Sequence, residues 1–410
     1  MVDRLDTLTT GEAAPSYPRP ATLWQRIPWW ARVGGVYLLA RVLTLIALAV
    51  TATQLTSRSR AGAHPDFFSY TALWDGYWYW YIAAVGYPSV LPLDDAGHID
   101  QNQWAFLPVY PMLVSGVAAL TNAWWPVAAF FVSLLAGLGA ALVLYRLFRL
   151  RLDEDRAFFA VVLFSISPLS FILQMAYAEA LQLFLLTIVL YLFVRRRWRW
   201  LFPVIALLAL TRPTGLALAL ALGLYWIYRL RSRRRDPFDR PEQIVVGALA
   251  VFSGVMGMAW PLVAWVVTGT MGAYTDTELA WRVPLIGYQH LVPFAPWLQG
   301  FGLWFGQPLG GILLVLLVAA AAGAMFLPAV RRLGIEMRLW TASYALYLLA
   351  VFFPQSSTFR LLMPMFPLAG ALAAPRSPVY RASLVLVSLA LQFFWLWVTW
   401  GPVASWWSVP

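Results

Sequence analysis

Two acids and three arginines stand where charge is costly, and through them this chain could do chemistry: Asp75, Glu179, Arg212, Arg282 and Arg360. Asp75 lies in Leu73-Trp74-Asp75-Gly76-Tyr77-Trp78-Tyr79-Trp80-Tyr81-Ile82-Ala83, a stretch dense in aromatics. Glu179 opens an apolar run, where the helix dipole favours a carboxylate for purely structural reasons. Asp75 has no such explanation, and a solvated loop aspartate and a catalytic acid are equally good readings of it. Arg212 (Thr211-Arg212-Pro213-Thr214-Gly215) and Arg360 (Gln355-Ser356-Ser357-Thr358-Phe359-Arg360) sit at the tips of short apolar hairpins. A charge there needs a partner or an anionic ligand. The planar guanidinium fork suits phosphate; snorkelling to lipid headgroups is the structural alternative.

Other constellations are weaker. His64 with Asp66, or Asp94, Asp95, His98 and Asp100, could be drawn as a metal site, but neither has the fixed helical spacing of a zinc motif. A solvated polar loop is the better default for both. Gly-rich phosphate loops, GxSxG elbows, HExxH and internal repeats are absent. The lack of Cys removes disulfides, thiolate metal sites and cysteine nucleophiles. All 29 basic residues are Arg, which rules out lysine chemistry and points to a GC-rich bacterial genome. Between Ala157 and Trp400 the acids are Glu179, Asp236, Asp239, Glu242, Asp276, Glu278 and Glu336, which cannot form a proton relay across a bilayer.

The elements that must position these groups are transmembrane helices. With 410 residues, 61% hydrophobic and 11% charged, the chain has too little polar surface to cover a soluble globule. Apolar runs long enough to cross about 30 Å of hydrocarbon recur from Val33 to Trp400, and the abundant Trp and Tyr suit the headgroup interfaces. The composition predicts an all-α polytopic bundle of roughly 10–12 transmembrane helices. The net charge of +11 does not signal nucleic acid, because the arginines fall in short clusters between apolar runs, as cytoplasmic loops do. The chain divides into a cytoplasmic tail at 1–32, a single transmembrane domain at 33–403 and a tail at 404–410. The first thirty residues lack a compact signal-peptide h-region, so Val33 to Leu55 reads as a retained first helix.

The clusters Arg146 to Arg156, Arg195 to Arg199, Arg229 to Arg240, Arg331 to Arg338, and Arg376 with Arg381 are assigned to the cytoplasm, with the N-terminal arginines. The apolar stretches between them then turn on the far side, at Ser167 to Glu179, Thr211 to Gly215, Thr268 to Trp297 and Pro354 to Arg360. Only Arg58, Arg60, Arg212, Arg282 and Arg360 fall outside. Read as one kinked helix, Trp200 to Tyr228 would span about 43 Å and put arginine clusters on both sides, so a hairpin is preferred. Its first arm, Trp200 to Leu210, reaches only about 16 Å. Phe106 to Thr121 conflicts with the charge map as a full span and is expected to be broken or re-entrant. Residues 56–105 form the first extracytoplasmic loop, long enough to be functional, and its aromatic run reads as a helix lying in the interface plane.

Trp74-Asp75-Gly76 followed by Ile82-Ala83-Ala84-Val85-Gly86-Tyr87 resembles the WDxxxY/FxxIAxxGY stretch of the PIG-V family of mannosyltransferases. Phe106-Leu107-Pro108-Val109-Tyr110-Pro111 resembles that family's FFPxxP segment. Ser167-Pro168 with Tyr177-Ala178-Glu179-Ala180 resembles its SPxxxFxxxxYSEAL segment, and Thr211-Arg212-Pro213-Thr214-Gly215 its TRxxG hairpin. The resemblance covers Leu73 to about Leu216 and fades afterwards. It departs at Gly76, where Ala is more usual, and at Ala178, which removes a hydroxyl that could have bonded sugar.

What the resemblance implies is a GT-C-type glycosyltransferase, multispan in a bacterial plasma membrane, with its site on the extracytoplasmic face and a sugar on a polyprenyl-phosphate carrier as donor. Asp75 occupies the position of the acid such enzymes carry in the first external loop. The expectation is inverting transfer of mannose to a lipid-linked or glycan acceptor, with Asp75 as general base and Glu179 orienting the acceptor or itself the base. Arg212, with Arg360 or Arg282, would stabilise charge on the departing phosphate. Trp74, Tyr79, Tyr177 and His290 complete the expected substrate-binding set. No metal or other cofactor is expected, since arginine could neutralise a phosphate monoester, and the expected partners are donor, acceptor and membrane lipids, not nucleic acid. Three competing readings remain: transfer of another sugar such as glucose or arabinofuranose, a lipid or polyprenol transporter without chemistry, and a catalytically silent scaffold subunit.

Overall fold

The computed structural model describes residues 26–402. The expected tails, 1–32 except for its last residues and 404–410, lie outside the described residues. Four helices are long and apolar enough to cross a membrane: Trp29–Ala52, Trp125–Arg149, Arg240–Thr268 and Pro378–Trp400. Shorter apolar helices lie among them, namely Val109–Thr121, Glu179–Val194, Trp198–Ala209 and Leu309–Ala324. Gly215–Ser232 and Ile335–Val351 join these in the bundle. The all-α bundle read from composition is therefore present, with helices less uniform in length than regular spans of about 20 residues.

The outward side chains of the long helices are apolar: Leu39, Ile46 and Val50 on the first, Val251, Val255 and Val266 on the third, Leu386 and Phe394 on the last. Exposing such area to water costs about 25 cal/mol per Å², and hydrocarbon removes that penalty. The protein is a membrane protein. Its core forms where Glu179–Val194, buried along most of its length, packs on Trp125–Arg149. Small residues permit the close approach; a Cβ on Gly139 would come within 2.7 Å of the Phe184 ring.

Ion pairs tie together the arginine-rich loops that the charge map assigns to one side. Arg32 pairs with Glu154 at 2.6 Å, Arg381 with Asp155 at 2.6 Å, Arg376 with Asp153 at 3.3 Å and Arg151 with Glu336 at 2.9 Å. Trp29 stacks on Tyr145 at 5.4 Å, so the start of the first helix and the end of Trp125–Arg149 share one end of the bundle. Val109–Thr121 is 13 residues, about 20 Å at helical rise, too short to cross. It begins beside the expected hairpin, which is also present: Trp198–Ala209 and Gly215–Ser232 are separate helices, and the Val109 N–H donates to the Leu210 carbonyl at 3.2 Å.

Candidate active site

Asp75 is the first residue of the helix Asp75–Val85. The preceding residue, Trp74, takes φ 60° and ψ −118°, a conformation rare for any residue with a side chain. The surroundings hold it there. The Trp74 indole N–H donates to the Thr399 carbonyl at 3.0 Å, and the Asp75 N–H donates to the buried Tyr177 hydroxyl at 3.4 Å. Glu179 likewise begins its helix, Glu179–Val194. Arg212 stands at the hairpin tip, and Arg360 lies in the single turn Thr358–Leu361.

These side chains, drawn from four separate parts of the sequence, close into a ring of alternating charge. Arg212 Nη2 bonds Asp75 Oδ2 at 3.1 Å and also bonds Glu179 Oε1. Arg360 Nη1 bonds Glu179 Oε1 at 3.0 Å and also bonds Asp75 Oδ2. Each carboxylate thus bridges both guanidiniums. Asp75, Glu179 and Arg360 are 8%, 1% and 6% exposed, which charges tolerate only when paired. Asp75 is therefore not a solvated loop residue, and neither hairpin arginine snorkels to the headgroups. Glu179 Oε2 and the Nε atoms of Arg212 and Arg360 are buried without a protein partner among the described residues.

Beside the ring lies a cavity of about 400 Å³. Asp75, Arg212 and Arg360 form part of its wall, whereas Glu179 lies behind them and does not. Leu107, Met258 and Leu361 line it with apolar surface, and Tyr274, Glu278 and Arg282 add a second polar group. Of the remaining expected residues, Arg282 reaches the wall and donates to the Val351 carbonyl at 2.7 Å. Tyr79 is fully buried, edge-on to Tyr110 at 4.9 Å. The Arg360 guanidinium lies over the Tyr177 ring at 5.2 Å, so Tyr177 supports the ring of charge from below. Trp74 and His290 do not line the cavity. Trp74 is turned toward Thr399 by its backbone, and His290 is exposed, 5.5 Å from the Tyr288 ring.

Sequence reasoning did not single out Glu278 or Tyr274. A signal was present, since Tyr274, Glu278 and Arg282 recur every four residues and so share one face of a helix. Tyr274 and Glu278 lie on the Ala273–Ala280 helix, and Arg282 follows just beyond its end. Burial in the wall holds the Glu278 carboxyl above the usual carboxylate range, against the opposing pull of Arg282. Among the described residues no three His, Asp or Glu side chains gather as a metal cluster would require.

No family model matches the chain, and no curated protein does. Among solved structures it is similar to the apo oligosaccharyltransferase of Archaeoglobus fulgidus, at 15% identity and a TM-score of 0.47, over 90% of this chain and 56% of that one. It is also similar to AglB, the archaeal oligosaccharyltransferase of Archaeoglobus fulgidus, in complex with an inhibitory peptide and a dolichol-phosphate, at 12% identity and a TM-score of 0.44, again over 90% and 56%. The chain spans little more than half the length of these proteins.

Proposed function

We propose that this protein is a GT-C-type membrane glycosyltransferase that moves a sugar from a polyprenyl-phosphate donor to a hydroxyl of a lipid-linked or glycan acceptor. The observation that carries this reading is the ring of Asp75, Arg212, Glu179 and Arg360 set in the wall of a largely apolar cavity. Two fixed guanidiniums beside apolar surface match a ligand whose charged phosphate continues into an isoprenoid chain. The sequence resemblance supplies mannose as the sugar.

In the proposed reaction the acceptor oxygen attacks the anomeric carbon in line with the departing phosphate, so a β-linked donor gives an α-linked product. Arg212 and Arg360 are already fixed by their carboxylates and need no reorganisation to meet the charge that develops on the phosphate. Glu179, at 1% exposure and off the cavity wall, is their counter-ion and not the base. The carboxylates that reach the wall are Asp75 and Glu278. The proposed orientation puts the paired arginine loops in the cytoplasm and the cavity on the outer side of the plasma membrane.

The test is transfer of labelled mannose from synthetic polyprenyl-phosphate mannose by the purified protein, with membrane lipid extract as acceptor and EDTA present. Wild-type turnover, reduced about a hundredfold or more in Asp75→Asn, is the expected result. Turnover only with a glucose or arabinofuranose donor would replace the sugar. Lipid translocation unaffected by Asp75→Asn would instead make the protein a transporter.

A further inference from the structure

The two acids of the cavity wall keep different company. Asp75 presents Oδ2 to both Arg212 and Arg360, so that oxygen is committed to holding the guanidiniums. Glu278 lies on the short helix Ala273–Ala280, one turn after Tyr274 and four residues before Arg282, and shares the cavity wall with both. Arg282 is engaged elsewhere, with its Nη2 on the Val351 carbonyl at 2.7 Å. Of the two, Glu278 has the carboxylate that is not shared between arginines.

We propose that Glu278, and not Asp75, removes the proton from the acceptor hydroxyl, while Asp75 holds Arg212 and Arg360 toward the leaving phosphate. The inference rests on the reading of the cavity as a glycosyl-transfer site. In the step, the acceptor O–H bond breaks and its proton passes to the Glu278 carboxylate. The oxygen bonds to the anomeric carbon, and the bond from that carbon to the phosphate oxygen breaks with its electron pair. Polyprenyl phosphate leaves beside Arg212 and Arg360, so proton and negative charge end at different parts of the wall.

Two environments that treat two carboxylates differently are the usual mark of divided roles. The charged and titratable groups that face Glu278 are Tyr274 and Arg282 on its own segment, Arg212 from the hairpin tip, Asp75 from the aromatic helix and Tyr347 from Ile335–Val351. Burial raises its proton affinity, Asp75 adds to that, and Arg282 and Arg212 oppose it. A base performs best when its pKa approaches the working pH, and an ordinary carboxylate lies well below that.

The experiment is the pH profile of kcat/KM for mannose transfer from polyprenyl-phosphate mannose to lipid-extract acceptor, for wild type, Glu278→Gln, Glu278→Asp and Asp75→Asn. Glu278→Gln should lower kcat by about 10²–10⁴-fold and abolish the acid limb of the profile. Glu278→Asp should restore part of the rate and the limb. Asp75→Asn should lose rate but keep the limb. If Glu278→Gln keeps the acid limb, or Asp75→Asn alone removes it, the inference is overturned while the transfer function stands. If the wild type transfers no sugar from any polyprenyl-phosphate donor, the function falls and the inference with it.

Discussion

Gly215 and Gly257 meet backbone to backbone: a Cβ on Gly215 would lie 2.6 Å from the Gly257 Cα. The contact presses the hairpin tip onto the Arg240–Thr268 helix, and the Ser253 hydroxyl secures it by donating to the Gly215 carbonyl at 2.8 Å. Arg212 lies three residues before this contact, so its reach to Asp75 and Glu179 depends on it. The glycine of the Thr211-Arg212-Pro213-Thr214-Gly215 segment is thereby explained by packing and not by backbone torsion.

Gly215→Ala is expected to force the two helices apart at a cost of about 1–3 kcal/mol, the range for overpacking a tight interface, and to lower transfer by withdrawing Arg212. Gly223→Ala is the internal control, since nothing lies within 4 Å of a Cβ there; replacing a helix-interior glycine should stabilise by about 0.5–1 kcal/mol. Thermal melts in detergent check both. Equal melting of the two variants would remove the packing explanation.

Much of the site is legible in the sequence because charge is conspicuous in an apolar chain. Asp75, Glu179, Arg212 and Arg360 draw notice one at a time, and the structure supplies the missing element, that each answers the others' need for a partner. Glu278 escapes notice for the converse reason. It falls in the long turn from Thr268 to Trp297, where an acid reads as solvated, and only the packing of Ala273–Ala280 against the cavity gives it a half-buried place in the wall. Trp74 misleads because aromatic identity says nothing of direction, and its positive φ sends the indole toward Thr399. The helical bundle follows from composition, but the brevity of Val109–Thr121 is set by Pro108 at one end and left-handed Asn122 at the other.

Removing one acid from the ring leaves two guanidiniums facing a single carboxylate in a low-dielectric site. Glu179→Ala is expected to destabilise by about 3–5 kcal/mol, as breaking a buried ion pair does. Arg212→Lys should keep charge but lose the fork that reaches both acids, so activity should fall at least tenfold with a smaller loss of stability. A double-mutant cycle on Glu179 and Arg212 should give a coupling of about 0.5–3 kcal/mol. A coupling of zero would mean that the pair is not made in the membrane.

Arg41 offers a test of the scaffold apart from the ring. It is 2% exposed, and its guanidinium donates to the Ser165 and Ser170 carbonyls and, at 3.0 Å, to the Ser170 hydroxyl. The Glu154–Ile166 helix ends there before Pro168, leaving carbonyls that no helical N–H can reach. Arg41→Met should cost about 1–3 kcal/mol for each carbonyl left without a donor. Arg41→Lys should recover little, because one ammonium does not span the same acceptors. Melting temperatures of the two variants decide the point, and a Lys variant as stable as wild type would contradict it.

The opposite end of the bundle should respond to acid. Asp155 accepts from Arg381 at 2.6 and 2.8 Å, docking the start of Pro378–Trp400 on Glu154–Ile166, and Asp153 caps the latter helix by accepting from the Arg156 N–H at 3.0 Å. The Arg381 hydrogen bond holds the Asp155 carboxyl below its usual range, and the Arg156 backbone N–H does the same for Asp153. A carboxyl depressed in the folded state contributes stability above its unfolded pKa of about 3.9 and loses that contribution as pH falls through the folded value. Wild type should therefore melt above Asp155→Asn at neutral pH, with the gap closing on acidification below about pH 4. Asp155 is half exposed, with 52% side-chain accessibility, so the gap should be small and should shrink further in high salt. A gap that stays constant with pH and salt would assign the effect of the substitution to packing and not to the ion pair.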